Sequence, residues 1–211
     1  KIGFYPIEDK KMPLTEKDLN HILTHGSNLW ERLAGKKIFI TGGTGFFGKW
    51  LLESFNWANK QLALNSQMLV LTRNPNNFLK QYPHFAEMSG IDFCQGDIRN
   101  FEFPKGNFDF IIHAATEVSD KLNAKEPLLM IDAIVEGTHR VLDFARHCKA
   151  KKMLLTSSGA VYGRQPQDIL HIKENYSDSP DTAISSSVYG EAKRLAELFC
   201  TIYQKQYGIE V

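Results

Sequence analysis

Only three cysteines, Cys94, Cys148 and Cys200, occur in the 211 residues, and they are widely spaced. That spacing forms neither a disulfide framework nor a pattern of metal ligands, and it predicts buried, reduced thiols in a cytoplasmic protein. No apolar run approaches the ~20 residues needed to cross a bilayer as a helix. The N-terminus lacks the charged and apolar regions of a signal peptide. Charge is nearly balanced, 25 Lys and Arg against 24 Asp and Glu, so neither nucleic acid nor an anionic membrane is expected as a partner. No internal repeat is present. With 43% hydrophobic and 23% charged residues, the composition is that of an ordinary globular chain long enough for one sizeable core.

Residues 1–13 carry two prolines and no hydrophobic period, which predicts an extended arm. From Thr15 onward, Leu19, Ile22, Leu23, Leu29, Trp30 and Leu33 keep helical spacing, opened by a Thr15/Asp18 capping pair and weakened at Gly26. Residues 1–34 are therefore set apart as an N-terminal arm and helix, packing on the domain behind. Over 35–211 the pattern changes. Short apolar strands are expected at 37–41, 68–72, 91–94, 108–115 and 153–158, with helices at 48–58, 127–147 and 188–207. Strands apolar on both faces and alternating with helices predict an α/β fold, a Rossmann-like doubly wound parallel sheet covered on both sides. The stretch 164–187, rich in Pro, Asp and Ser, reads as a long functional loop. After a helix stop at Gly208, residues 209–211 read as the opening of a strand, which suggests a fragment.

Thr41 closes the first strand, and Gly42, Gly45 and Gly48 follow at intervals of three on entry to a helix. Glycine permits the tight turn and lets backbone approach a pyrophosphate, whose charge a helix N-terminus favours. Gly42, Thr44, Gly45, Phe46, Phe47 and Gly48 are the residues expected to hold a dinucleotide there. The second strand should end on the residue that reads the adenosine ribose: an acid for NAD, an Arg for NADP. That strand end has no acid but has Arg73, which favours NADP over NAD. Asp97 and Ile98, after the third strand, are expected near the adenine; Ala114, Ala115 and Thr116, after the fourth, along the cofactor. Tyr189 and Lys193 stand four apart on a helix and so share a face. A nearby ammonium favours the ionised phenol, bringing Tyr189 into the range of a general base. Ser158, closing the fifth strand, lies where its hydroxyl can share a substrate hydroxyl with Tyr189.

The Thr-Gly-x-x-Gly-x-x-Gly turn, Asp97-Ile98, His113-Ala114-Ala115, the run 157–163 and Tyr-x-x-x-Lys together resemble the extended short-chain dehydrogenase/reductases. More narrowly they resemble the NAD(P)-dependent nucleotide-sugar epimerase/dehydratase group, over about residues 36–211. The resemblance implies Tyr189 as base, Lys193 as its activator and ribose ligand, and Ser158 as the hydroxyl-bonding partner. It also implies a substrate domain beyond this chain and a homodimer through helices 127–147 and 188–207. Dehydratases of the group carry an acidic pair after the catalytic Ser/Thr, where this chain has Gly159 and Ala160. Epimerisation of a nucleotide sugar is therefore favoured over 4,6-dehydration. The enzymatic alternative is an NADPH-dependent reductase of a keto sugar or other carbonyl. The alternative from another class is a non-catalytic NAD(P)-binding regulator.

Overall fold

The computed structural model describes residues 13–116 and 126–211. Five strands, β1 (Lys37–Thr41), β2 (Gln67–Thr72), β3 (Ile91–Gln95), β4 (Phe110–His113) and β5 (Lys152–Leu155), run parallel in the order β3-β2-β1-β4-β5. The order reverses between β1 and β4, and in such sheets ligands bind outside the carboxyl ends of the strands at that point. Helices α1 (Glu16–His25), α2 (Ser27–Trp30), α3 (Phe46–Gln61), α4 (Pro75–Gln81), α5 (Pro127–His147) and α6 (Val188–Tyr207) complete the described elements longer than a 3-10 turn.

Alternation along β1 divides the core into two layers. Phe39 points to one face and is fully buried among Phe101, Phe108 and Phe144, with Cys200 and Tyr203 of α6 in the same cluster. Ile38 and Ile40 point to the other face, against Leu52 and Phe55 of α3 and the Phe78–Phe85 aromatic group. Each such side chain contributes on the order of 1.5–3 kcal/mol through burial. The Rossmann-like sheet covered on both sides is thus what the chain forms.

Several boundaries differ from the sequence expectation, each for a local reason. The fourth strand ends at His113 rather than Ala115 because its neighbour β1 has ended. The Ala114 N–H still reaches Thr41 O at 3.1 Å, but the Ala115 N–H turns to the Thr41 hydroxyl at 3.3 Å. The fifth strand likewise stops at Leu155, although the Thr156 N–H still donates to His113 O. Helix α3 begins at Phe46, two residues early, and the 15–33 helix breaks at Gly26 into α1, α2 and a 3-10 turn. A Cβ on Gly26 would lie 2.5 Å from the Trp30 indole nitrogen, so the break and the glycine belong together. Helix α4, absent from the sequence reading, is capped by Asn74, whose side chain accepts the Asn77 N–H, and has Pro75 in its first turn.

The arm expected over 1–13 lies outside the described residues as far as residue 12. Next to it, the Leu14 N–H donates to Glu53 Oε2 at 2.6 Å and Trp57 Nε1 donates to Asn20 Oδ1 at 3.0 Å, so α1 rests on α3. At the other end, Gly208 is left-handed at φ 72°, as the expected helix stop requires. Glu210 then bridges Lys152 in parallel, with the Met153 N–H donating to Glu210 O, so the strand opening read after Gly208 lies beside β5.

Candidate functional site

The turn between β1 and α3 is a close-packed backbone structure. Gly42 has φ 74°, and a Cβ there would lie 2.3 Å from Ala114 O. A Cβ on Gly48 would lie 2.2 Å from Gly42 O, so both positions exclude any larger residue. Gly45 is looser: its Cβ would meet only Gly42 O, at 3.3 Å. It is also the N-cap of α3 and has no side chain to cap the helix. The first N–H groups of a helix lack intrahelical partners and attract anions. The turn that leads into the helix borders a cleft of about 590 Å³, lined by Gly42, Thr44 and Gly45 at one part and by Arg73, Asp97, Ile98, Arg99 and Ala114–Thr116 at others. Glycine cradle, uncapped helix and a cleft reaching from Gly42–Gly45 to Arg73, Asp97 and Thr116 fit a dinucleotide.

Asp97 and Arg99 form a two-bond fork, Nε to Oδ1 at 2.8 Å and an Nη to Oδ2 at 2.9 Å. The Arg99 guanidinium holds the Asp97 carboxyl down at about 2, with the more distant Arg73 charge acting in the same direction. Arg73 is exposed at the end of β2 and lines the same cleft. Two arginines and one acid therefore leave this part of the cleft positive.

On the opposite side of the switch point the important groups are buried side chains. Lys193 is only 3% exposed, and its Nζ donates to Thr116 Oγ1 at 2.7 Å and to Thr156 O at 2.9 Å. Loss of hydration pulls its ammonium down to about 8. Beneath it, His113 bridges Thr41 Oγ1 at 2.7 Å and Thr138 Oγ1 at 3.1 Å. Burial, reinforced by the Lys193 charge, drives the imidazole down to about 3, so it is neutral at physiological pH. Tyr189, half-buried, stands one turn before Lys193 on α6. Ser158 caps the 3-10 turn Gly159–Tyr162, its Oγ accepting the Ala160 N–H at 3.2 Å, which leaves the hydroxyl proton available.

The structure thus gathers Gly42, Thr44, Gly45, Arg73, Asp97, Ile98, Ala114, Ala115 and Thr116 around one cleft, with Lys193 tied to it through Thr116. Gly48 serves packing behind the turn, and Phe46 and Phe47 are solvent-exposed, Phe47 at 74%. The Lys193 ammonium donates to a threonine hydroxyl and a carbonyl. Sequence reasoning passed over Arg99, two residues beyond Asp97, although an Asp-x-Arg spacing in a strand-end turn is the signal that could have flagged it. It also missed the pairing of His113 with Thr41 and Thr138, which spans 72 and 25 residues and leaves no local trace.

Residues 38–211 match the NAD dependent epimerase/dehydratase family. Among curated relatives, the chain is 28% identical over 177 residues to a UDP-glucose 4-epimerase of Neisseria meningitidis serogroup C, covering 81% of this chain and 49% of that one. It is 25% identical over 189 residues to cinnamoyl-CoA reductase 1 of Arabidopsis thaliana, covering 84% and 51%. Among solved structures, a UDP-galactose 4-epimerase superposes with a TM-score of 0.63 at 25% identity, covering 82% of this chain and 53% of that one. The chain spans about half the length of the relatives it matches.

Proposed function

Because this chain belongs to the NAD dependent epimerase/dehydratase family, we propose that it binds NAD(P) and that the whole protein acts on the sugar of a nucleotide sugar, epimerising it. Residues 35–211 are the dinucleotide-binding domain in this reading, and 1–34 an arm and helix laid on α3. The observation that carries the proposal is Lys193, which ties α6 to Thr116 on the cleft wall. Tyr189 stands one turn before Lys193 on the same helix, which supports a role for it beside the cofactor. Gly42, Thr44, Gly45 and the first amides of α3 hold the pyrophosphate. Arg73 meets the adenosine ribose, and NADP is favoured because no acid stands there. When bound, the nicotinamide supplies the two-electron acceptor and donor for a sugar carbon.

The chain's own residues handle the proton. Tyr189 Oη removes it from the sugar hydroxyl, Ser158 Oγ donates a hydrogen bond to that hydroxyl oxygen, and Lys193 holds positive charge against the phenolate and the ribose. Gly159 and Ala160 carry no proton-transfer group, so the site suits epimerisation better than loss of water. Leu195 and Leu198 are exposed on α6 while Ala192 and Ala196 pack inward against Met130 and Ile134 of α5. That outward apolar face is the proposed homodimer contact.

A reductase acting on a keto sugar or other carbonyl is the second reading, favoured by Arg73 and by the similarity to a cinnamoyl-CoA reductase. Incubating the full-length protein with a panel of nucleotide sugars and NAD(P), then analysing the products by NMR, tests both. Interconverted epimers without net consumption of cofactor are expected. Stoichiometric NADPH oxidation by carbonyls, with no epimer formed from any nucleotide sugar, would replace the first reading by the second.

A further inference from the structure

Glu197, one turn beyond Lys193 on α6, plays no part in the reading above. It is solvent-exposed, yet its Oε1 accepts a hydrogen bond from the Ser157 hydroxyl. The preceding residue, Thr156, gives its carbonyl to Lys193 Nζ. Consecutive residues 156 and 157 therefore grip residues 193 and 197, pinning the end of β5 to α6 at two points one helical turn apart. Ser158 follows the second pin directly. Glu191, by contrast, faces Arg194 on the same helix at 3.8 Å and reaches neither pin.

We propose that Glu197, oriented by Ser157, is a positioning residue that sets its carboxylate charge against the buried Lys193 ammonium and locks the strand end presenting Ser158. The role rests on Lys193 serving the cofactor and Tyr189 as proposed above. The surroundings of the ammonium agree with it. Burial works against the charge on Lys193, and Glu197 is the foremost influence opposing that loss. Cys200, the other opposing group, is a neutral thiol pushed up to about 11, so at neutral pH it supplies no charge. His113 from β4 is uncharged there. Tyr162, on the 3-10 turn after β5, is held above the ordinary phenol range by loss of hydration and by Glu174, with Glu197 a lesser influence, hence neutral too. Among the described residues, Glu197 is thus the anion these influences leave to Lys193.

The test is a side-chain NMR titration of full-length protein labelled at lysine Cε, with Lys193 assigned by loss of its signal in Lys193→Met. Glu197→Gln keeps an acceptor for Ser157 and removes only the charge. Its Lys193 midpoint should move to lower pH, raising the neutral fraction near pH 7 about 1.5- to 5-fold, the range expected of an exposed ion pair. The alkaline limb of kcat should move the same way, with KM for the nucleotide sugar unchanged. Glu197→Asp should restore the midpoint, and Ser157→Ala should shift it less than Glu197→Gln does. A wild-type midpoint in folded Glu197→Gln, alongside impaired turnover in Lys193→Met, overturns the role of the glutamate alone. Normal turnover in Lys193→Met instead refutes the parent reading of Lys193, and this role falls with it.

Discussion

The β1–β2 side of the cleft is built from backbone, whereas the β4–β5 side is built from buried side chains. On the first side, glycines at 42 and 48 let main chain touch main chain, and the cleft is lined by the Gly42–Gly45 turn and by arginines beyond strand ends. On the second, Lys193, His113, Thr41 and Thr138 form a polar interior under α6. The difference teaches where each side is vulnerable. A backbone cradle fails when atoms are added; a side-chain network fails when functional groups are removed or neutralised.

The largest effect is expected on the side-chain half. Tyr189→Phe deletes one oxygen and keeps the ring, so folding should survive while kcat falls ~10²- to 10⁴-fold. Steady-state kinetics and cofactor calorimetry on the full-length protein separate the two quantities; cofactor affinity should be near wild type. A variant with near-normal kcat would remove Tyr189 from the chemistry and raise the standing of a non-catalytic, dinucleotide-binding regulator.

The backbone half is broken by addition. Gly48→Ala puts a methyl 2.2 Å from Gly42 O and should cost about 3 kcal/mol, near the upper range for overpacking. Thermal unfolding should show it as a drop of roughly 6–12 °C for a domain of this size. Gly45→Asp sharpens the contrast. Its Cβ would lie 3.3 Å from Gly42 O, tight but far less so than at Gly48, so the loss of stability should be smaller while the carboxylate repels the pyrophosphate and calorimetric affinity is lost. Equal destabilisation by both substitutions would show that Gly45 serves packing alone.

Arg73 offers a smaller effect. Arg73→Ala should lower the preference for NADP over NAD by about 1.5–3 kcal/mol, the worth of one charge-assisted hydrogen bond, and leave NAD affinity in place. An unchanged ratio of dissociation constants would assign the 2′-phosphate elsewhere, with Arg99 the next guanidinium in the cleft.

The mildest test returns to the side-chain half and uses pH. His113 titrates at about 3 when folded, against about 6.5 in an unfolded chain. Between those values the unfolded state binds the extra proton, so stability is lost as pH falls through that window. The slope from one such group is about 1.4 kcal/mol per pH unit at most. Urea unfolding from pH 6.5 down to 4 should show a shallower pH dependence in His113→Asn than in wild type. Identical slopes would mean that the imidazole is hydrated and titrates normally.

How much of this was legible in the sequence follows the same division. The glycine turn and the strand–helix alternation could be read directly, because three-residue glycine spacing and apolar runs are local. Helix limits at 127–147 and 188–207 could be read for the same reason, with Pro127 opening one and Gly208 closing the other. The ends of the first two strands could be read too, but those of the fourth and fifth could not, since their pairing stops where a neighbour runs out, which is a tertiary event. The Asn74-Pro75 start of α4 was present but lay in a stretch to which no element was assigned. His113 drew notice only as part of a family pattern. Its bonds to Thr41 and Thr138 needed the folded chain.

Lys193 ties α6 to the cleft wall through Thr116, and the account depends on that link more than on any other. The most direct measurement is cofactor calorimetry and turnover on full-length Lys193→Met, which keeps the buried stem and removes the ammonium. Both quantities should fall together, the affinity because the contact at the cleft wall through Thr116 is lost, the turnover because Tyr189 loses its neighbouring charge. Unchanged NAD(P) affinity in a folded variant would separate α6 from the cleft and contradict the account.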